Sequence, residues 1–180
     1  MAHVLTVLAD GFEETEAITF IDLLRRAEIK VTILGLSSLD VTGSHGITLK
    51  ADALLESFSG SFDGIILPGG QPGTTNLAQS GTVLRMVRDA HANGLLCAAI
   101  CAAPGVLGKS GILRDRLATC YPGSEKNLEG AVLSTQNVVE DGNIITSRGV
   151  GTAIEFSLRL ISYLSGSEIS EKVKKAILFQ

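Results

Sequence analysis

The sequence predicts an α/β domain with a mostly parallel sheet covered by helices on both faces. Two observations predict it. Short runs rich in Val, Ile and Leu alternate with amphipathic stretches along the chain, and these runs are apolar almost throughout. Strands that are apolar on both faces are typical of parallel sheets buried between two helical layers. The length of 180 residues fits one domain, which we expect to span residues 1–180.

The predicted elements follow this alternation from the N-terminus onward. Strands are expected at residues 4–8, 29–34, 64–67 and 95–100, and hairpins at 41–51 and 137–146. Helices are expected at 13–27, 80–92, 104–109, 152–166 and 171–179. Ser80 is a suitable N-cap, and Asp141-Gly142 is a typical hairpin turn. Thr152 with Glu155 predicts a capping box.

Composition excludes several classes of protein. The net charge is −4 with a pI near 5.4, and no run of Lys or Arg is present, which argues against nucleic acid as a partner. The N-terminus lacks the basic and apolar regions of a signal peptide and is too short to span a membrane, so we expect a cytoplasmic protein. No glycine-rich phosphate motif supports nucleotide binding.

Three loops fall at the carboxyl ends of predicted strands, where open α/β sheets bind ligands: residues 10–16, 68–74 and 101–104. Cys101 ends an apolar run and precedes the small residues Ala102 and Ala103. A cysteine at such a strand-to-helix junction projects its sulfur from the end of the sheet. Backbone N–H groups of the following helix would favour its thiolate. The alternative interpretation is a buried apolar cysteine.

The other cysteines are less informative. Cys97 lies within the same apolar run and is expected in the core, whereas Cys120 is either beside the site or inert. Because three cysteines cannot all pair and nothing indicates secretion, we expect free thiols. The three histidines show no metal-ligand spacing, so neither a metal site nor a cofactor is expected.

Glu13, Glu14 and Glu16 crowd the first turn of the first helix. Acids there complement the helix dipole, but one that faces the end of the sheet would be desolvated and its pKa raised. Such a carboxyl could serve as a general acid or base, although the spacing does not select which one. Gly69 and Gly70, after Pro68, could aim backbone N–H groups at an oxyanion or form only a turn.

Four ordered segments together resemble the DJ/ThiJ/PfpI superfamily, in the branch of the Parkinsonism-associated deglycase and its bacterial relatives. They are residues 9–16, 66–70, 98–104 and 146–152, and the resemblance runs from about residue 3 to about residue 175. It implies a flavodoxin-like three-layer sandwich and a homodimer. It also implies that Cys101 is the reactive cysteine, that Glu16 is its protonated partner, and that Gly70 and Ala102 supply the oxyanion hole.

The resemblance places further residues beside the site, namely Gly69, Cys120, Tyr121, His45 and Arg148. Tyr121 stands where many relatives have a histidine, and an unperturbed tyrosine is a poor base at neutral pH. Base work would then fall to Glu16, or to His45 if the 41–51 hairpin reaches across a dimer. Val150 replaces a proline of the family motif, which we regard as a minor departure.

The resemblance implies a cysteine-dependent enzyme of the glyoxalase III or deglycase type, a hydrolase or lyase. Its substrates would be small reactive carbonyls or glycated compounds: methylglyoxal hydrated to lactate, or glyoxal adducts removed from proteins and small molecules. A second hypothesis is a redox-sensing stress protein or chaperone that acts through oxidation of Cys101. A cysteine peptidase or amidase is a weaker third, because such enzymes use a histidine that no motif supplies here.

Overall fold

The computed structural model describes all residues, 1–180, and contains eleven strands and six α-helices. The strands are β1 (His3–Leu8), β2 (Lys30–Gly35), β3 (Asp40–Thr42), β4 (Thr48–Lys50), β5 (Ala53–Leu54), β6 (Gly64–Leu67), β7 (Leu96–Ile100), β8 (Leu117–Ala118), β9 (Val132–Leu133), β10 (Val138–Asp141) and β11 (Ile144–Ser147). The helices are α1 (Glu14–Arg26), α2 (Gly73–Gln79), α3 (Gly81–Ala92), α4 (Pro104–Lys109), α5 (Ala153–Ser165) and α6 (Ser167–Ala176). None of these helices combines the length and apolar character that crossing a bilayer requires.

The main sheet has seven strands in the order β10-β11-β7-β6-β1-β2-β5. All pairs are parallel except the hairpin of β10 and β11, which forms one edge. Its five central strands therefore have the flavodoxin-like order, which reverses between β1 and β6. Because ligands bind beyond the carboxyl ends of strands at such a reversal, the loops after β1, β6 and β7 define the expected site.

Two apolar cores flank the sheet and make the fold a three-layer α/β sandwich. One packs α1, α5 and α6 against one face and includes Phe20 and Phe156. The other packs α2, α3 and α4 against the opposite face and includes Leu77 and Val87. Alternate strand residues serve the two cores, as with Val4 and Leu5 of β1, so both faces of the strands are apolar.

Most predicted elements are present, and Ser80 caps α3 by accepting a hydrogen bond from the Val83 N–H at 3.3 Å. Three predictions were incomplete. Helix α2 lies directly after a segment whose Gly and Pro residues predict only a loop, and α2 is held by burial of Thr74 and Leu77. Helix α6 begins at Ser167 rather than 171, because Gly166 at φ 90° separates it from α5. Strands β5, β8 and β9, of two residues each, were not predicted.

The prediction of a capping box at the start of α5 was wrong. Thr152 precedes the helix, but its side chain makes no capping hydrogen bond. Its hydroxyl instead lies 2.7 Å from the Ser147 hydroxyl and accepts from the Gly149 N–H at 3.1 Å. Glu155 accepts from the Asn137 side chain at 3.2 Å. Thr152 therefore ties the end of β11 to the start of α5 rather than capping the helix.

Candidate active site

Cys101 lies at a sharp backbone turn between β7 and α4, with φ +65°. This left-handed conformation costs a non-glycine residue about 1–2 kcal/mol. Main-chain hydrogen bonds hold it on both sides: the Cys101 N–H donates to the Ser147 carbonyl at 2.9 Å, and the Cys101 carbonyl accepts from the Tyr121 N–H at 2.8 Å. Strain of this kind at a half-buried thiol is typical of a functional residue.

Two backbone N–H groups, of Ala102 and Gly70, lie near the Cys101 sulfur and lower its pKa. Gly70 reaches this position with φ +92°, and a Cβ atom there would lie 2.3 Å from the Glu13 nitrogen. Only glycine fits both requirements. The pair of N–H groups at the sulfur is therefore built by the β6–α2 loop and by the residue that follows the cysteine.

Glu16, in the first turn of α1, is fully buried beside Cys101. Its Oε2 accepts a hydrogen bond from the Gly69 N–H at 2.9 Å, and its carboxyl adjoins the Cys101 thiol, whereas Oε1 is buried without a partner. Burial raises the pKa of Glu16 to about 7. The charge of Glu13 also raises this pKa, whereas the hydrogen bonds lower it. Near neutral pH this carboxyl can both give and take a proton.

Burial also raises the pKa of the Cys101 thiol, to about 12, and the charge of an ionised Glu16 adds to the increase. The sequence predicts a thiol with a lowered pKa, but burial outweighs the two N–H groups while Glu16 is charged. Once Glu16 holds a proton, the repulsion disappears and its O–H can donate to a thiolate. The two groups therefore titrate as a coupled pair, and protonation of Glu16 favours the thiolate.

Gly69 separates these two side chains, and a methyl group there should force them apart. A Cβ atom would lie 2.6 Å from the Cys101 Cβ and 2.8 Å from the Glu16 Oε2. We expect Gly69→Ala to reduce the free energy of unfolding by about 1–3 kcal/mol, measured in urea, because the buried site is overpacked. Gly81→Ala is the control, since a Cβ there meets nothing within 4 Å. If Gly69→Ala were as stable as the wild type, the expected clash of the added methyl group with Cys101 and Glu16 would be contradicted.

Cys101 and Glu16 open into a cleft of about 790 Å³. Its lining is Glu13, Thr15, Glu16, His45, Gly70, Cys101, Tyr121, Pro122, Asn137, Arg148, Gly149, Val150, Gly151 and Thr152. A separate cavity of about 470 Å³, beyond β1 and β2, contains Asp10 and Glu56 but no thiol, histidine or cation. The larger cleft is therefore the candidate active site.

The structure brings most of the expected site residues to this cleft. Tyr121 and His45 are exposed at its edge, and Arg148 is half-buried in its wall. Gly69 is buried against Cys101 and does not line the cleft. Cys120 is only 5% exposed and packs in the core behind Tyr121, where burial raises its pKa to about 11. Cys97 lies fully buried in β7, as expected.

Glu14 has a role that the sequence did not reveal. Its buried carboxylate accepts hydrogen bonds from the backbone N–H groups of His45 at 2.7 Å and Ile47 at 3.3 Å, and it lies 3.0 Å from the His45 Nδ1. Burial alone would raise the pKa of Glu14, but these hydrogen bonds and its own N–H lower it to about 2. Glu14 thus anchors the tip of the β3–β4 hairpin at the edge of the cleft.

Glu13 joins this cluster, with one oxygen 3.6 Å from the His45 Nδ1. One ligand atom from each of Glu13, Glu14 and His45 lies within 4.8 Å of the others, an arrangement that their separation in the sequence did not predict. The Glu14 oxygens already accept hydrogen bonds, and the pKa of His45 is raised, first by its bond to Glu14 and then by the charge of Glu13. The cluster therefore acts as an ion-paired anchor of the hairpin.

Removing the charge of Glu14 should weaken this anchor. We expect Glu14→Gln to reduce the free energy of unfolding in urea at pH 7 by about 1–3 kcal/mol, because buried N–H donors lose a charged acceptor. The folded-state pKa is depressed, so the stabilisation is present above pH 4.5 and is lost as the pH falls towards 2. Glu13→Gln is the matched control. Equal effects of the two substitutions would contradict this assignment.

Comparisons with known proteins agree with this architecture. The DJ-1/PfpI family matches residues 2–163. Protein dj-1beta of Drosophila melanogaster is 41% identical over 97% of this chain and 95% of its own, and its crystal structure superposes with a TM-score of 0.94 over 99% and 98% of the two chains. The glutathione-independent glyoxalase DJR-1.2 of Caenorhabditis elegans is 35% identical over 92% and 89%. Oxidized DJ-1 of Toxoplasma gondii has a TM-score of 0.95 at 34% identity over 99% of each chain.

Proposed function

The chain belongs to the DJ-1/PfpI family, and from its cleft we propose that it is a cysteine-dependent enzyme acting on small reactive carbonyl compounds. One observation carries the proposal: the Cys101 sulfur, the Glu16 carboxyl and two backbone N–H donors converge at one end of the cleft. A nucleophile, a proton carrier and an oxyanion site are the groups that addition to a carbonyl requires. The name of the nematode relative, a glyoxalase that needs no glutathione, supports this class of reaction.

For methylglyoxal, the Cys101 thiolate would bond to the aldehyde carbon. The aldehyde oxygen, held by the N–H groups of Gly70 and Ala102, would take the proton of Glu16. The Glu16 carboxylate would then remove the hydrogen of that carbon and return it to the neighbouring ketone carbon, as the hydroxyl proton passes to the ketone oxygen. The hemithioacetal thereby becomes a thioester of lactic acid without an external oxidant. Water would hydrolyse the thioester, releasing lactate and the thiol.

The decisive assay incubates the purified protein with methylglyoxal and no added thiol. We expect loss of methylglyoxal to be matched one to one by lactate, because Cys101 supplies the sulfur that glutathione would otherwise provide. A deglycase would instead release the free amine from a preformed glyoxal adduct, so the same assay on glycated N-acetyllysine separates the two reactions. Absence of both lactate and free amine would contradict the proposal.

A second candidate is redox sensing through Cys101, and the oxidized form of Toxoplasma gondii DJ-1 is a relative with this fold. The observation that favours it is the Glu16 Oε1, which is buried beside the site without a hydrogen-bond partner. A protonated Glu16 could donate to an oxygen added to the sulfur, and the two backbone N–H groups would hold a sulfinate. Mass spectrometry after mild peroxide treatment tests it. Selective addition of two oxygens at Cys101 is expected, and equal oxidation of all three cysteines would exclude it.

The homodimer and the cytoplasmic location remain predictions that accompany this proposal. Light scattering during size-exclusion chromatography checks the first, with twice the chain mass of 18.8 kDa expected. The β3–β4 hairpin and α1 are the surfaces that we expect to meet. An exposed cluster on α1, α5 and the chain end supports such an interface, since Ile18, Ile154 and Leu178 are 42%, 37% and 86% exposed.

A further inference from the structure

Arg148 is a cation of the cleft without an anionic partner. None of the seven ion pairs of the chain includes it, and its one hydrogen bond is a long contact from Nη1 to the Thr135 carbonyl at 3.5 Å. The side chain is half-buried and lines the same cleft as Cys101. A guanidinium that is partly removed from water and left unpaired is a costly feature unless an anion binds to it.

We propose that Arg148 binds the carboxylate of the substrate, so that the preferred substrates are short 2-oxoaldehydes with a terminal carboxylate. This inference rests on the proposed function for the reactive aldehyde of the substrate, and it adds a carboxylate at the other end of that substrate. The planar guanidinium matches the two oxygens of a carboxylate and can hold them in a bidentate pair. A single guanidinium also balances the single charge of such a substrate.

The topology places the cation and the nucleophile side by side. Strands β7 and β11 are parallel neighbours in which Ile100 pairs with Ser147, and Cys101 and Arg148 each follow directly. Because adjacent strands lie about 4.8 Å apart, the two residues leave the sheet as neighbours at the same edge. With the two backbones adjacent and both side chains lining one cleft, the proposed substrate has a short chain between its carbonyl carbon and its carboxylate.

The other charges that face the cleft do not neutralise Arg148. His45 lies 3.0 Å from a Glu14 oxygen and 3.6 Å from a Glu13 oxygen, so both acids are engaged by the histidine at the hairpin edge and neither pairs with Arg148. Glu16, with a pKa of about 7, is largely protonated below neutral pH. The pKa of the exposed Glu125 is lowered mainly by hydrogen bonds from its own backbone N–H and from the Gly123 N–H, and least by the charge of Arg148. Glu125 and Arg148 form no ion pair. The free positive charge of the cleft is therefore the guanidinium of Arg148.

Tyr121 adds a second donor to this subsite. Its ring packs against Gly149, where a Cβ atom would lie 3.3 Å from the Tyr121 Cδ2. Its hydroxyl makes no hydrogen bond within the chain, and the side chain lines the cleft. The tyrosine that replaces the histidine of many relatives thus offers a neutral O–H to an anionic substrate rather than a base.

The kinetic test compares 4,5-dioxopentanoate with its methyl ester, in which a methyl group removes the negative charge. We expect Arg148→Met to lower kcat/KM for the acid about tenfold or more, as for loss of a charge-assisted hydrogen bond, and to lower kcat/KM for the ester much less. Arg148→Lys should retain part of the preference. Because Arg148 makes a single long hydrogen bond, both variants should keep the fold, which thermal unfolding checks. An equal loss for acid and ester would overturn the inference.

A binding test separates this inference from the proposed reaction. Levulinate and methyl levulinate, which lack the aldehyde, are titrated calorimetrically into Cys101→Ala with and without Arg148→Met. We expect levulinate to bind more tightly than the ester only when Arg148 is present, and equal binding would overturn the subsite. If the Arg148-dependent preference appears but no 2-oxoaldehyde is turned over by the wild type, the subsite stands and the proposed function fails.

Discussion

Cys101→Ala is expected to lower the turnover of methylglyoxal by about 10³-fold or more, since removing a nucleophile leaves only binding and oxyanion stabilisation. No other thiol can substitute, because Cys97 is fully buried in β7 and Cys120 faces the core. The fold should be retained. The backbone at Cys101 is held by hydrogen bonds to Ser147 and Tyr121 that do not involve the side chain. Lactate formation and thermal unfolding, measured on the same preparation, check both expectations.

Cys97→Ala and Cys120→Ala are the controls for this result. Each removes one sulfur that does not line the cleft, so each should keep most of the activity. Each should also lose about 1 kcal/mol of stability because a small core cavity is created. Retention of full activity in Cys101→Ala would refute a mechanism through this sulfur. Loss of activity in all three variants at temperatures where they remain folded would point to a different requirement for thiols.

Glu16→Gln is expected to reduce turnover by about 10²–10⁴-fold, the contribution of a well-placed acid or base. Glutamine can still accept the hydrogen bond from the Gly69 N–H, so the geometry is preserved while the exchangeable proton is lost. The wild-type activity should depend on pH around 7, where Glu16 titrates, and Glu16→Gln should lose that dependence. A wild-type rate without any titration near pH 7 would contradict the role of this carboxyl.

The same substitution should stabilise the protein at alkaline pH. The folded-state pKa of Glu16 is raised to about 7 from 4.5, so its stabilising protonated form is complete below pH 4.5 and is lost as the pH rises through 7. Above pH 7 the wild type must bury a carboxylate, which glutamine avoids. We expect Glu16→Gln to raise the free energy of unfolding at pH 8 by about 2 kcal/mol. Urea unfolding at pH 5 and pH 8 checks it, with little gain expected at pH 5.

Much of the fold follows from the sequence because the apolar runs are long and their borders are sharp. The run at 95–100 becomes β7, and the Asp141-Gly142 turn joins β10 to β11, since each depends on local residues. Helix α2 could not be predicted, because its Gly and Thr residues have low helix propensity and tertiary burial stabilises it. Strands of two residues carry no periodicity to detect.

Only some residues of the candidate site could be predicted from local sequence patterns. The apolar run indicated Cys101, but only the family resemblance selected Glu16 among the three acids. Residues two apart on a helix point about 200° apart, so Glu14 and Glu16 face different neighbours, and no local pattern shows that both are buried. Glu14 meets a hairpin 30 residues away. The raised pKa of Cys101 also escaped prediction, because it depends on burial and on the charge of Glu16.

The two edges of the main sheet bear on how this chain behaves at high concentration. An exposed strand edge is a template for pairing with another chain and thus for aggregation. One edge here is β5, which has only two residues, and the other is β10, which ends in Glu140 and Asp141. Shortness at one side and charged, ion-paired side chains at the other both oppose continuous sheet formation between molecules. Association of folded copies should therefore proceed through helical and hairpin surfaces, and fibrillar growth should require prior unfolding.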